Sequence, residues 1–173
     1  TSGPDKSKNG AYGVYPVNVK NVLLEDTEAY FASDAGLYVG QCVNAIVRNN
    51  VAEQNVFGLE IENTVNADVY NNQVRFNTGG LLVYDLNKNT NVTRNVRVFD
   101  NVVTDNNTPN FGNSGIVKTV PAGTGMVITS ARQVEIYQNT FENNNTTDLA
   151  IFSGLIAVTP DFGAWEQDNF RTH

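Results

Sequence analysis

The stretch GLEIEN sets Glu60 and Glu62 two residues apart, with Leu59 and Ile61 alternating between them. On a β-strand two such side chains leave the same face, with their Cα atoms ~7 Å apart. Paired carboxyl groups at ~6.5–9.5 Å are what an inverting glycoside hydrolase uses, one to protonate the leaving oxygen and one to activate water, although that range refers to carboxyls and not to Cα atoms. Glu60 and Glu62 are therefore the candidate catalytic pair. Any strand with two outward glutamates has the same spacing, so three readings stand together: a solvated face, a sugar-binding face and a hydrolytic pair.

Other chemistries find little support. The chain has 173 residues, 11 Lys and Arg against 18 Asp and Glu, and a net charge of −7. A phosphate backbone asks for a basic face, so no nucleic-acid partner is expected. The one histidine, His173, is the last residue, and the one cysteine, Cys42, excludes an internal disulfide. No histidine pair, cysteine cluster or glycine-rich loop suggests zinc, haem or nucleotide, so no cofactor is expected. No apolar run approaches the ~18 residues of a membrane span, and no leader peptide is visible. The chain opens on Thr1, which reads as a mature form or an excised piece.

The elements that must carry Glu60 and Glu62 are legible as a repeat. Gly13, Gly36, Gly58 and Gly80 are spaced 23, 22 and 22 residues apart, and each opens a similar line; the register returns at Gly125. Within each line apolar residues alternate, as strands with one buried face require. A first strand turns Leu37 and Val39, Leu59 and Ile61, Leu81 and Val83, Met126 and Ile128 inward. A second turns in Val22 and Leu24, Ala45 and Val47, Ala67 and Val69, Val96 and Val98, Val134 and Ile136. A third, short strand follows Asn50, Asn72, Asn101 and Asn139. Three strands per ~22 residues, climbing one strand spacing of ~4.8 Å per turn, describe an all-β solenoid: a right-handed parallel β-helix of about five to six coils. The 26 asparagines suit this reading, since Asn50, Asn72, Asn101 and Asn139 form one column and Asn55, Asn77, Asn106 and Asn144 another, both placed to stack as amide ladders at the corners. Cys42 falls at a corner as a small buried filler.

The coil register sorts the outward residues. One column on the first sheet reads Tyr15, Tyr38, Glu60, Leu82, Val127 and the next Val17, Gly40, Glu62, Tyr84, Thr129, with Asn63 and Asp85 at the border. Rings can cover apolar sugar faces while amides and carboxylates hold hydroxyls, so Tyr15, Tyr38, Asn63, Tyr84 and Asp85 are candidate substrate-binding residues around the glutamates, all expected to face solvent. On the second sheet Asp68, Arg97 and Glu135 share a column, and Arg48, Tyr70, Phe99 and Tyr137 the next; these read as structural pairing between coils.

From roughly Gly10 to Asn145 the chain resembles the right-handed parallel β-helix repeat proteins, which include the periplasmic NosD-like proteins and the mannuronan C5-epimerases. Epimerases of this kind carry a Tyr-Gly-Phe-Asp-Pro-His run at the start of a coil. In the present YGVYPV, Tyr12, Gly13 and Pro16 agree, while Tyr15 stands where the acid would be and Val17 where the histidine would be. The resemblance implies a periplasmic or extracellular protein that binds or modifies a polysaccharide, of uronic-acid type. It also shows what is missing for epimerisation, because two of the acid–base candidates are absent. Some lyases on this fold use acids to hold calcium, which leaves room for one weak calcium at Glu60, Glu62 or Asp85.

The whole chain, 1–173, reads as one β-helix domain, part of a longer coil. Residues 1–10 are a polar, flexible segment, 108–123 an insertion expected to border the binding site, and 154–173 a tail that covers the last coil. Open coil ends invite other chains, so the second reading is a non-catalytic assembly module making protein contacts, or self-associating end to end, through ends or loops.

Overall fold

The structure, a computed structural model, describes residues 8–86 and 91–154. The sequence expectations for 1–7 and for the tail from 155 onward, including its tryptophan, lie outside the described residues. Among the described residues sixteen strands wind into three all-parallel sheets. The first sheet stacks β1 (Tyr12–Val14), β4 (Ala35–Gly40), β7 (Phe57–Glu62), β10 (Gly79–Tyr84), β13 (Thr124–Thr129) and β16 (Thr147–Phe152). The second stacks β2 (Lys20–Glu25), β5 (Val43–Arg48), β8 (Val65–Tyr70), β11 (Arg94–Phe99) and β14 (Arg132–Tyr137). The third stacks the three-residue strands β3 (Glu28–Tyr30), β6 (Val51–Glu53), β9 (Gln73–Arg75), β12 (Val102–Thr104) and β15 (Thr140–Glu142). The described residues thus form five coils of three strands each and the opening strand of a sixth, a parallel β-helix.

The coil registers are those that the sequence columns require. Leu37, Leu59, Leu81 and Met126 are successive partners, as are Ala45, Ala67, Val96 and Val134. These inward columns form one continuous core, with Val74 and Val103 from the third sheet and with Cys42, which is fully buried at its corner.

Two amide columns run through this core. Asn72 Nδ2 donates to Val47 O at 3.0 Å and to Asn101 Oδ1 at 2.9 Å, while its Oδ1 accepts from Asn50 N at 3.0 Å and Asn50 Nδ2 at 2.9 Å. Asn77 repeats the pattern at the other corner, donating to Ala52 O and Asn106 Oδ1 and accepting from Asn55 N and Nδ2. Every donor and lone pair of these buried side chains is used. The glycine column faces the second ladder: a Cβ at Gly36 would lie 2.5 Å from Asn55 Nδ2, and one at Gly58 would lie 2.9 Å from Asn77 Nδ2. Close approach, not a positive φ, requires glycine there.

A different device turns the corners. Asn21, Asn44, Asn66 and Asn95, and Asn49 and Asn71, take left-handed backbone with φ between 54° and 61°, a conformation that asparagine tolerates better than most residues. The asparagine excess thus has two causes, buried ladders and left-handed corners, and only the first was legible as a column.

On the second sheet the Asp68–Arg97 pair and the ring stack are as expected, while Arg48 pairs with Glu25, which the column as read did not include, and bonds the Tyr70 hydroxyl. Arg97 Nε and Nη2 reach Asp68 at 2.7 and 2.5 Å, Arg48 pairs with Glu25 at 2.7 Å, and the rings of Tyr70, Phe99 and Tyr137 stack 4.8 and 5.0 Å apart.

Truncating a ladder amide orphans several buried groups at once, each worth roughly 1–3 kcal/mol. Asn77→Ala is expected to lower the unfolding free energy in urea by more than about 3 kcal/mol, whereas Lys118→Ala, at an exposed position of the insertion, stays within about 0.5 kcal/mol. Equal effects would show that the ladder does not hold the coils.

Candidate functional site

The first sheet corrects the expectation of an open polar face. All six positions of β4, β7, β10 and β13 are buried. Glu60 is 1% exposed, Glu62 4%, Tyr38 3% and Tyr84 4%, so these side chains do not point into solvent. The alternation was read correctly, since they do leave the coil; what the alternation could not give is the cover. Among the described residues that cover includes the insertion, which folds back so that Val117, in a single 3-10 turn (Ile116–Thr119), packs with Phe111, Ile116 and Val120 against an outer cluster of Ala35, Val56, Phe57, Leu82 and Val127. The insertion therefore lies on the face rather than bordering it.

Beneath this cover carboxyls and phenols interlock. Tyr38 Oη donates to Glu62 Oε2 at 2.7 Å. Tyr84 Oη lies 2.7 Å from Glu62 Oε2 and 3.2 Å from Glu60 Oε2. A phenol has one proton, and the shorter contact takes it. The Tyr84–Glu60 contact is then completed if Glu60 carries a proton and donates it to Tyr84 Oη. Burial agrees: it holds the Glu60 carboxyl well above the ordinary carboxylate range, the charges of Asp34 and Glu62 push the same way, and the Tyr84 hydrogen bond opposes. Glu60 Oε1 is buried with no hydrogen-bond partner among the described residues, which a neutral acid tolerates better than an ionised one. Because Tyr84 bridges the glutamates, their Oε2 atoms are no further apart than 2.7 and 3.2 Å contacts laid end to end, short of the ~6.5–9.5 Å that leaves room for an attacking water.

The site reaches solvent at its β1 edge. Tyr15 is 51% exposed, and its ring stacks on Tyr12 at 4.3 Å and on Tyr38 at 4.6 Å, both at 25°. Tyr12 Oη donates to Asp34 Oδ2 at 3.0 Å. Burial raises the Asp34 carboxyl, against the Tyr12 hydrogen bond, and it raises the Tyr12 phenol together with the Asp34 charge. Tyr12 and Asp34 were not among the sequence candidates. Asp34 had a signal, being the one acid in a coil position otherwise held by Ala11, Val56, Thr78 and Gly123, but a single polar outlier at a corner is easily read as a solvated turn.

Asn63 and Asp85 are engaged by the chain itself. Asn63 Nδ2 donates to Leu86 O at 3.1 Å and Asn91 O at 2.6 Å, its Oδ1 accepts from Leu86 N, and Asp85 Oδ1 accepts from Thr93 N. They tie the ends of β7 and β10 to Leu86, Asn91 and Thr93. Among the described residues no three His, Cys, Asp or Glu side chains converge as a cation site, and no helix is long and apolar enough to cross a membrane.

A family model described as right handed beta helix region matches residues 5–160. The chain belongs to the right-handed β-helix family. No curated protein and no solved structure matches this β-helix. The family fixes the winding of the coil and leaves its activity to the sites on its faces.

A carboxyl kept protonated by the fold contributes stability that is complete below its unfolded pKa, about 4.3 for Glu, and is lost as pH rises through the raised folded value. The β-helix is therefore expected to lose stability between about pH 5 and about pH 8, and Glu60→Gln, which keeps a neutral donor at the same place, is expected to flatten that slope. Asp34, also raised, leaves a residual slope. Urea unfolding of both proteins at the two pH values checks this; identical slopes would place an ionised Glu60 in the fold.

Proposed function

We propose that this β-helix binds a polysaccharide at the β1 edge of its first sheet, where Tyr15 offers a ring and Asp34 a carboxyl, and that the face as it stands holds a chain rather than cleaving one. The observation that carries the reading is the half-exposed Tyr15 ring seated on Tyr12 and Tyr38 beside the Asp34 carboxyl, which burial raises. A stacked ring held from behind gives up little freedom when a sugar face covers it. Binding is favoured over turnover because Glu60 and Glu62 are covered and bridged by Tyr84. The uronic-acid class is favoured by the epimerase resemblance of the opening coil and by the raised Asp34 carboxyl, since a protonated carboxyl donates to a uronate where an ionised one repels it. A periplasmic or extracellular setting goes with that substrate.

One observation favours the assembly reading as well. Leu149 and Ile151 continue the inward columns of Met126 and Ile128 but are 38% and 67% exposed, so no described residue closes the core at β16. Contact with another chain at that end would cover them, and Ile151→Asp would then abolish self-association in sedimentation velocity.

Electrophoresis through gels containing polygalacturonate or alginate tests the binding. The protein is expected to be retarded, and Tyr15→Ala to weaken binding about tenfold, the scale of an aromatic anchor. The sign with pH follows from Asp34: its raised carboxyl holds its proton to higher pH than a free aspartate and gives it up as pH rises through the folded value, so retardation falls as pH is raised. Mobility indifferent to Tyr15 and to pH would overturn this reading. Turnover of either polymer that is lost in Glu60→Gln and in Glu62→Gln would replace binding by catalysis.

A further inference from the structure

The second sheet carries an amide column of its own on its outer face. The second residue of each strand is Asn21, Asn44, Asn66, Asn95 or Gln133, all left-handed, with φ of 61°, 60°, 60°, 55° and 51°. The asparagines are exposed and bonded coil to coil: Asn44 Nδ2 donates to Asn21 Oδ1 at 3.1 Å, Asn66 Nδ2 to Asn44 Oδ1 at 3.1 Å, and Asn95 Nδ2 to Asn66 Oδ1 at 3.0 Å. Asn44 and Asn66 each spend one N–H and one lone pair on this ladder. A primary amide has two of each, so one donor and one acceptor per coil remain for solvent, repeating at ~4.8 Å.

Left-handed backbone does not by itself demand an amide. The corresponding column at the third corner is filled by Phe31, Gln54, Phe76, Asp105 and Asn143, with φ from 55° to 64°. The unbroken amide column beside the second sheet is a further feature. It forms one wall of an open groove of about 970 Å³ whose other side is the column Leu23, Ile46, Asp68, Arg97 and Glu135. The groove crosses all five strands, roughly 19 Å at ~4.8 Å per strand.

We propose that this groove is a second binding site, separate from the Tyr15 edge, and that it takes an extended, uncharged polysaccharide lying across the strands. A sugar hydroxyl both donates and accepts, which is what each coil leaves unspent. Leu23 and Ile46, 55% and 39% exposed, offer apolar ground for the C–H faces of sugar rings at one end. The charge argues for a neutral chain: Asp68 and Arg97 neutralise each other in a two-bond pair, Glu135 adds a negative charge, and the protein carries −7 overall. A peptide strand has nothing to pair with, since the groove faces side chains and the backbone of each interior strand is bonded to both neighbours in the sheet.

Electrophoresis through gels containing glucomannan or mixed-linkage β-glucan tests the groove apart from the first-sheet reading, which concerns uronates and Tyr15. The protein is expected to be retarded by at least one of the two neutral polymers, and as strongly in Tyr15→Ala. The double variant Asn44→Gly/Asn66→Gly removes two amides while leaving a residue that accepts the left-handed backbone; it is expected to bind at least tenfold more weakly with an unchanged circular dichroism spectrum. Ile46→Arg, which fills the groove and leaves the amides, is expected to weaken binding likewise and decides the matter should the double variant unfold. No retardation by either polymer, or retardation unchanged in Ile46→Arg and in a folded double variant, would overturn the proposal. So would a wild-type dimer in sedimentation velocity that Ile46→Arg dissociates, because the occupant would then be a second copy.

Discussion

A buried amide must place two protons and two lone pairs, and in an apolar core it has no water to place them on. In the columns of Asn50 to Asn139 and of Asn55 to Asn144 the inner members Asn72, Asn101, Asn77 and Asn106 meet this demand from the coil on either side and from nearby backbone. The solution exists only if successive coils keep the same register and the ~4.8 Å strand spacing. A coil slipped by one residue would turn its inward apolar residues outward and strand the amides of both neighbours together. Apolar burial supplies the drive to collapse. The ladders decide which collapsed arrangement survives, and glycine at positions 36 and 58 clears the space they need.

Register at that strictness is what makes faces of the solenoid usable. It lines up Tyr38, Glu60 and Leu82 in one column and Gly40, Glu62 and Tyr84 in the next, so that a phenol from one coil falls between two carboxyls of another. With the insertion laying Phe111 and Val117 over the neighbouring cluster, these columns are buried, and burial raises the carboxyls of Glu60 and Asp34 above the ordinary carboxylate range. The chemistry of the face thus depends on two layers of structure, a repeating one that sets positions and a non-repeating one that sets solvation.

That division explains what could be read in advance. Glycine spacing, inward alternation and both buried ladders are properties of the repeat, and they were legible because each coil restates them. The pairing of Asp68 with Arg97 and the stack of Tyr70, Phe99 and Tyr137 followed from the same columns. The burial of Glu60 and Glu62 was not legible, since the cover on their sheet includes a segment that occurs once, and nothing in residues 108–123 says where on the coil it docks. Nor was the engagement of Asn63 and Asp85, whose partners Leu86, Asn91 and Thr93 follow β10 and lie outside the columns read from the sequence. Left-handed corners were hidden for another reason. Asparagine serves ladder and corner alike, so Asn49 beside Asn50, and Asn71 beside Asn72, look like one signal while doing two jobs. Phe31 and Phe76 at left-handed positions carry no corner signal at all.

The same side chain at the same pitch therefore has opposite consequences on the two sides of the coil wall. Inside, an asparagine column with all its groups satisfied has nothing left to offer a ligand, and its whole effect is rigidity. Outside, Asn44 and Asn66 form a ladder of similar geometry, yet water lets them leave a donor and an acceptor unspent at little cost, because an exposed polar group is already hydrated. Any partner there competes only with that water, on a surface whose spacing has been fixed by the interior ladders. On the first sheet the relation is reversed: cover has removed the water, and groups that would have been reactive in the open are held by one another. The amount of solvent above each face, more than the residue types in it, decides whether a column of this solenoid serves to hold the coils or to meet another molecule.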